Sequence, residues 1–433
     1  MTLAKRLLLG TAAAFVATSG AHAADLGLPV APSVDYVQIC SIGSFTGFIL
    51  PGGDVCFDIS GFARFEANLG VANPYGATNG YDDVDFNAEV GVNFDARTMT
   101  EWGLLRGFVG LGEAGAGEDF ALTVEKGFVQ IGGLTAGLTD SFFDPVYTDY
   151  AMAAIGAPDG GTDDLTLIGY NYGVGNGVTL SISLEDNGGN GRMGGISLVN
   201  AGAAASLTGA AIALNVAQGN FQDADNALAA VVGVRVDQAW GSAKLAGALT
   251  TVDVDDTLIP AVATGTVTDQ SEIGYAIQAS ATFNLPVGVG SNFGLFGIYT
   301  DGAISYMGAG GFATGGATGA TGTDIGLDAI IDGATGNLQT TQAWALGAGL
   351  EFGLNNMTDL EFDAYYADVD HGAALGAVGD YNVWAIRSSL AYRPVSGLEI
   401  RAGVGYTDYD VNVALAPFFD SGFTGRFRIT RSF

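Results

Sequence analysis

Metal and nucleophilic chemistry call for histidines and thiols, and the 433-residue chain holds two of each: His22, His371, Cys40 and Cys56. Two imidazoles leave most hydrolytic and metal chemistry without its commonest base and ligand. His371 stands beside Asp370 with no positioned serine, so no triad takes shape, and the chain reads as a protein that is not an enzyme. The remaining chemistry is electrostatic. Acidic residues outnumber basic ones 46 to 15, and phosphate repulsion then excludes a nucleic-acid partner.

Six arginines, Arg64, Arg97, Arg106, Arg401, Arg426 and Arg428, fall on the polar phase of alternating segments near the two ends of the chain, with Lys126 and Arg387 as weaker candidates. Between them, residues 141 to 163 hold Phe142, Phe143, Tyr147 and Tyr150 with the acids Asp144, Asp149, Asp159 and Asp163. A connection of this length is uncommon unless functional. Its rings suit packing against a wall and its carboxylates suit an opening, so a positive wall would face a negative loop and set up a transverse field that orders polar solutes. The other reading of each arginine is a lumen side chain satisfied by Glu66, Asp95 or Glu399. A further set of acids, Asp83 with Asp85, Asp253 with Asp255, Asp368 with Asp370 and Asp408 with Asp410, recurs at strand ends. Such a rim concentrates cations and predicts mild cation preference; weak Ca²⁺ or Mg²⁺ binding there, bridging anionic lipid head groups, is the one inorganic partner the sequence suggests. No cofactor and no dedicated metal site is expected.

The elements that must position these groups alternate with a period of two. From Val84 to Ala96 every second residue is apolar, with Asp85, Asn87, Glu89, Gly91, Asn93 and Asp95 between; a strand sorts the two sets onto opposite faces, whereas a helix scatters them. Sixteen segments read this way, near 56 to 69, 83 to 97, 104 to 112, 121 to 131, 134 to 140, 164 to 173, 177 to 185, 227 to 237, 241 to 253, 272 to 285, 291 to 302, 342 to 353, 357 to 369, 381 to 393, 397 to 410 and 421 to 433. Connections after even-numbered strands are short and those after odd-numbered strands mostly long, the sorting of a transmembrane antiparallel β-barrel with periplasmic turns and extracellular loops. In hydrocarbon an unpaired sheet edge is too costly, so the sheet must close, and sixteen strands enclose an aqueous lumen. Pieces at 196 to 199 and 211 to 216 would make eighteen strands; the reading preferred here keeps 186 to 226 as a long outer loop.

Residues 1 to 23 carry Lys5 and Arg6, an apolar stretch and Ala21-His22-Ala23, the order of a secretory signal peptide. Residues 24 to 55 then form a periplasmic segment ahead of a barrel over 56 to 433. Export places Cys40 and Cys56 in an oxidising compartment, where a disulfide closing a loop of that size contributes roughly 3 kcal/mol in the chain-entropy model. The Gly/Ala-rich stretches and the acidity also fit a surface structural or adhesive barrel without an open channel.

Tyr36-Val37-Gln38-Ile39-Cys40 and the run Cys56 to Phe65, containing Ser60-Gly61-Phe62-Ala63-Arg64-Phe65, resemble the opening of the alphaproteobacterial porin family found in Brucella and rhizobia. Gly127 to Gly137 followed by Thr139-Asp140-Ser141 looks like that family's fourth strand, turn and fifth strand ahead of its constriction loop, and Phe423 to Phe433 is similar to its last strand. The resemblance covers the first 150 residues and the last dozen. It implies a trimeric sixteen-stranded diffusion channel in the outer membrane, in contact with lipid and lipopolysaccharide, with an acidic third loop opposite basic wall residues and Phe433 as the signal read by the barrel assembly machinery. The Gly/Ala-rich segments 186 to 226 and 303 to 341 depart from the family's pattern.

Overall fold

The computed structural model describes residues 37–70, 84–115, 123–147, 150–152, 164–188, 192, 195–199, 216–217, 222–223, 227–255, 270–307, 327–332, 335–372, 380–411 and 421–433. A hairpin of β1 (Gln38–Ile42) and β2 (Phe45–Ile49) comes first. The barrel follows as β3 (Cys56–Gly70), β4 (Val84–Thr100), β5 (Gly103–Gly115), β6 (Thr123–Ile131), β7 (Leu134–Asp140), β8 (Asp164–Gly175) and β9 (Val178–Asp186). After β10 (Ile196–Val199) and β11 (Val216–Ala217) it resumes with β12 (Leu228–Gln238), β13 (Gly241–Asp253), β14 (Ser271–Asn284) and β15 (Asn292–Asp301). Past β16 (Ala329–Asp332) and β17 (Leu338–Thr340) it ends with β18 (Gln342–Asn355), β19 (Thr358–Asp370), β20 (Tyr381–Val395), β21 (Leu398–Val411) and β22 (Gly422–Ser432).

All sixteen barrel strands pair antiparallel with their neighbours, and β22 pairs with β3 from Thr424↔Gly70 to Ser432↔Phe62, which removes both edges. These are the sixteen expected segments, with ends shifted by a few residues: β4 runs on to Thr100, so the turn before β5 shrinks to Glu101-Trp102. Turns at this end are short throughout, and Asn176, the one described non-glycine residue with positive φ, makes one of them with Gly177. The opposite end carries every long connection.

Register and alternation agree on which face is which. Along β19 the odd positions from Glu361 to Val369 are buried while even ones are half or fully exposed, and the outward set includes Ile277, Leu346 and Val404, each more than half exposed. An apolar exterior of this kind meets lipid tails. Aromatic girdles bracket it: Tyr275 with Tyr299, Trp344 with Tyr366 and Trp384 with Tyr406 at the long-loop end, and Trp240 with Phe283 at the short-turn end. Such rings favour the membrane interface.

The strands at 196 to 199 and 216 to 217 do not enlarge the barrel. With β16 and β17 they form a separate four-stranded sheet, in which β10 runs parallel to β16. Ile196, Ala329 and Ile331 of this small sheet pack on Val252 and Val254 at the long-loop end of β13. Residues 211 to 215 lie outside the described residues, as does the signal segment 1 to 23.

The β1–β2 hairpin had no counterpart among the expected elements. It sits at the short-turn end, where β2 pairs with the start of β3 through Phe48↔Phe57 and Ile49↔Cys56, and a Cys40–Cys56 disulfide ties β1 to the barrel. Gly47 fits there because a Cβ would collide with the Phe57 carbonyl.

Candidate functional site

Beyond β7 the chain turns into the barrel instead of out over its rim. Ser141 Oγ donates to Glu185 Oε2 at 2.6 Å, and the Phe142 amide donates to Glu185 Oε1 at 2.9 Å, so a buried carboxylate on β9 seats the entry. The loop then crosses the inner wall strand by strand. Lys244 Nζ on β13 donates to the Asp144 carbonyl at 2.5 Å, Gln278 Nε2 on β14 to the Phe143 carbonyl at 3.0 Å, and the Val146 amide to Ser280 Oγ at 3.0 Å. Farther on, Asp363 of β19 accepts from the Tyr147 hydroxyl and from the amides of Tyr150 and Ala151, and Ser389 of β20 accepts from the Met152 amide at 3.1 Å. Gly294 and Gly349 face the Tyr147 ring so closely that a Cβ on either would overlap it. Phe143, Tyr147, Ala151 and Met152 are buried as a result.

Buried backbone amides need acceptors, and inward carboxylates and hydroxyls of the wall supply them. That division explains the inner face from β12 to β20, which is rich in Ala and Gly with a few polar anchors: Ala229, Val231, Ala246, Ala248, Ala276, Ala343 and Ala345 are all nearly inaccessible.

Asp144 lies in this inward loop, and its carboxylate does not stand free. Arg192, whose side chain is fully buried, reaches it from the 186 to 226 segment with Nη2–Oδ1 at 2.6 Å. The guanidinium lies against Phe143 and Tyr306, with Cζ 5.8 and 4.8 Å from the ring centroids. Burial outweighs the Arg192 and Lys244 charges and pushes the Asp144 carboxyl up to about 7. Tyr306 sits in a 3₁₀ turn at Ile304–Met307, its hydroxyl accepts from Asn187 Nδ2 at 3.0 Å, and the Ile304 amide donates to Asp328 Oδ1 at 2.9 Å. Both Gly/Ala-rich connections therefore converge on the inward loop. Arg192 carries no signal in the sequence because its glycine-rich surroundings show no period; Asp363 and Glu185 lie within expected strands, where alternation gives a face but not a partner. Asp149, Asp159 and Asp163 lie outside the described residues.

The other sector of the wall, β21 through β22 and β3 to β5, gathers all six expected arginines. Arg64 Nη1 pairs with Glu89 Oε2 at 2.7 Å, Arg428 pairs with Glu66, and Arg401 reaches Glu361 at 3.2 Å and Glu399 at 3.3 Å. Arg97 and Arg106 share Asp95 at 2.7 and 2.9 Å, while Arg426 Nε donates to Asn68 Oδ1 at 2.7 Å. Five of the six arginines thus pair with carboxylates and Arg426 with an amide oxygen. Lys126 pairs with Asp140 and Asp164 at the long-loop end, and Arg387 stands 3.8 Å from Asp363 over the Tyr365 ring.

Three of the rim acids take the outward phase of their strands. Asp253 and Asp368 occupy outward positions of β13 and β19, next to the buried inward residues Val252 and Val369 or Ala367, and Asp370 takes the same phase before capping the Gly372 amide at 2.7 Å. Asp255 follows β13, Asp85 stands in register with Asn68, and Asp83 lies outside the described residues. His371 is buried against Tyr381 with ring centroids 6.1 Å apart, and its amide donates to Asp380 Oδ1 at 3.1 Å; burial raises that carboxyl. Phe433 closes the seam, exchanging backbone hydrogen bonds of 3.0 Å with Gly61 in both directions.

A sequence profile for the Porin subfamily matches residues 28–422. Among curated relatives, "Porin Omp2b" of Brucella melitensis is 32% identical over 203 residues, 43% of this chain and 55% of that protein. The chain thus spans about half the length of the curated relatives it matches. Among solved structures, the outer membrane channel DcaP of Acinetobacter baumannii superposes with a TM-score of 0.64 at 16% identity, covering 89% of this chain and 99% of that one. Salmonella typhi OmpF in complex with daunomycin gives 0.53 at 11% identity, covering 87% and 98%. At these identities the structures speak for the fold.

Proposed function

The chain belongs to the Porin subfamily, and from that membership we propose that it forms a water-filled channel in the outer membrane of a Gram-negative bacterium, passed by small hydrophilic solutes and ions. The observation that carries this reading is the loop after β7, which lies inside the cylinder against β9 to β20 and leaves the arginine-lined wall of β21 to β5 opposite it. A narrowed lumen with charged walls selects by size and polarity without chemistry. The long loops face the outside, the short turns and the β1–β2 hairpin the periplasm.

Finer features belong to the same proposal. After loss of the leader, 13 basic residues stand against 46 acidic ones, which favours cations in the surrounding solution and gives the pore a mild cation preference. Outward acids at the outer girdle lie level with lipopolysaccharide head groups, where weakly held Ca²⁺ or Mg²⁺ would bridge the two anionic partners. Three copies assemble side by side through their apolar exteriors; OmpT of Vibrio cholerae is described in a trimer form. Phe433 serves as the handle for the assembly machinery.

Purified mature protein added to a planar lipid bilayer should give discrete conductance steps, with a reversal potential in a salt gradient that favours the cation. A folded barrel that inserts and conducts nothing would overturn the channel and favour a surface structural role.

A further inference from the structure

The lumen wall at the periplasmic end carries phenyl rings where water calls for polar groups. Phe108 on β5 and Phe128 on β6 occupy inward positions in register with one another and stack with centroids 5.2 Å apart. Phe45, delivered by the disulfide-tied hairpin, lies 4.0 Å from Arg97 Cζ, and Arg106 Cζ stands 5.0 and 5.1 Å from the Phe108 and Phe128 centroids.

Arg97 and Arg106 are directly opposed across β4 and β5, a like-charge pair that needs a bridge. Asp95 provides it, accepting from Nε and Nη2 of both guanidinium groups. Arg106 Nη1 turns to Gln130 Oε1 at 3.4 Å, and Arg97 Nη1 is left without an acceptor among the described residues. Both arginine side chains remain 22% exposed. Asp58 stands in register with Asp95, so two positive and two negative groups offset each other. A bare anion gains little from such a balanced set. An anion with a flat apolar body gains twice, once from the spare Arg97 Nη1 donor and once from the partly exposed Phe45 and Phe108 rings.

We propose that Arg97, Arg106, Phe45 and Phe108, the last backed by the buried Phe128, form a binding site for aromatic carboxylates at the periplasmic end of the lumen. It deepens the channel reading and rests on it, by naming a solute class that lingers on its way through. Occupancy interrupts the ion current, because the bound ring projects from the wall into the water-filled section.

The test uses the full mature protein with benzoate as probe and acetate as the ringless control. Benzoate added from the periplasmic side should interrupt single-channel current in a concentration-dependent way, and equimolar acetate should not. Phe108→Leu, read against that variant's own open-channel current, should weaken the block about fivefold, the loss expected for one aromatic contact. Phe45→Leu, which alters only the hairpin, gives the same reading where the strand variant misfolds. Equal block by both acids, or block unchanged in the phenylalanine variants, overturns the site while the channel stands. A protein that conducts no ions overturns the channel reading, and calorimetric titration of the detergent-solubilised chain with benzoate then decides the site on its own: heat that is lost in Phe108→Leu supports it, and no heat overturns it.

Discussion

The two sectors of the inner wall use charge in opposite ways. From β9 to β20 the buried charges beside the inward loop are spent on it: Glu185 on two donors at its entry, Lys244 on the Asp144 carbonyl, Asp363 on three donors near its tip, while Arg235 with Asp237 and Arg393 with Asp359 pair apart from it near the short turns. From β21 to β5 the charges are many, partly exposed, and paired across neighbouring strands. A buried acceptor with several donors is structural, since each donor left unsatisfied costs about 1–3 kcal/mol. Wet ion pairs hold little, about 1 kcal/mol or less, and their value lies in the field they present. On the proposed channel reading, the first sector is expected to set the width of the passage and the second what the passage prefers.

Asp363→Ala offers the hardest blow to that division. It strands the Tyr147 hydroxyl and the Tyr150 and Ala151 amides at once, so the loop should leave the wall, conductance should rise several-fold and the thermal midpoint should fall; an unchanged conductance would show that this loop does not limit flow. A smaller effect is expected from protonation of Asp144, which lies in the loop outside the spanning strands and is faced by Arg192, Lys244 and Asp140. Its carboxyl is pushed up to about 7 from 3.8. The folded value lies above the unfolded one, so this group's contribution to stability falls as pH climbs from about 4 to about 7 and is flat above. Below pH about 7 the carboxyl loses its charge and Arg192 loses its counter-ion. Conductance should therefore titrate with a midpoint near 7, a step that Asp144→Asn removes; a flat profile from pH 6 to 8 would uncouple the latch from the passage. The mildest change is Arg64→Ala with Arg426→Ala. Conductance should stay within a factor of about two and stability within about 1 kcal/mol, while the reversal potential moves further toward cations. A moved conductance with a fixed reversal potential would exchange the roles of the two sectors.

Alternation in Val84–Ala96, Leu360–Tyr366 and Leu398–Tyr406 made the strands legible because lipid on one side and water on the other act on each residue locally. Connection lengths did the same for the two ends. What stayed hidden depends on partners distant in the chain. Arg192 meets Asp144 across 48 residues of sequence, the parallel pairing of Ile196–Val199 with Ala329–Asp332 spans Gly/Ala-rich connections without periodicity, and the rim acids at 253 and 368 take the outward phase of their strands, which only their buried neighbours settle. The hairpin escaped because Gln38–Ile42 is too short to show a period, although Cys40 and Cys56 already marked where it would be fastened.

That fastening has a consequence for how the cylinder shuts. β2 occupies the flank of β3 at Cys56 and Phe57, and the same flank takes Phe433 from Gly61 upward. The final strand therefore arrives at an edge whose lower stretch is already filled, and sliding one step down would drive its terminal phenylalanine toward the hairpin. A step in either direction would also turn Arg426 and Arg428 out into the hydrocarbon. The hairpin acts as a doorstop, leaving the closing strand one stopping place.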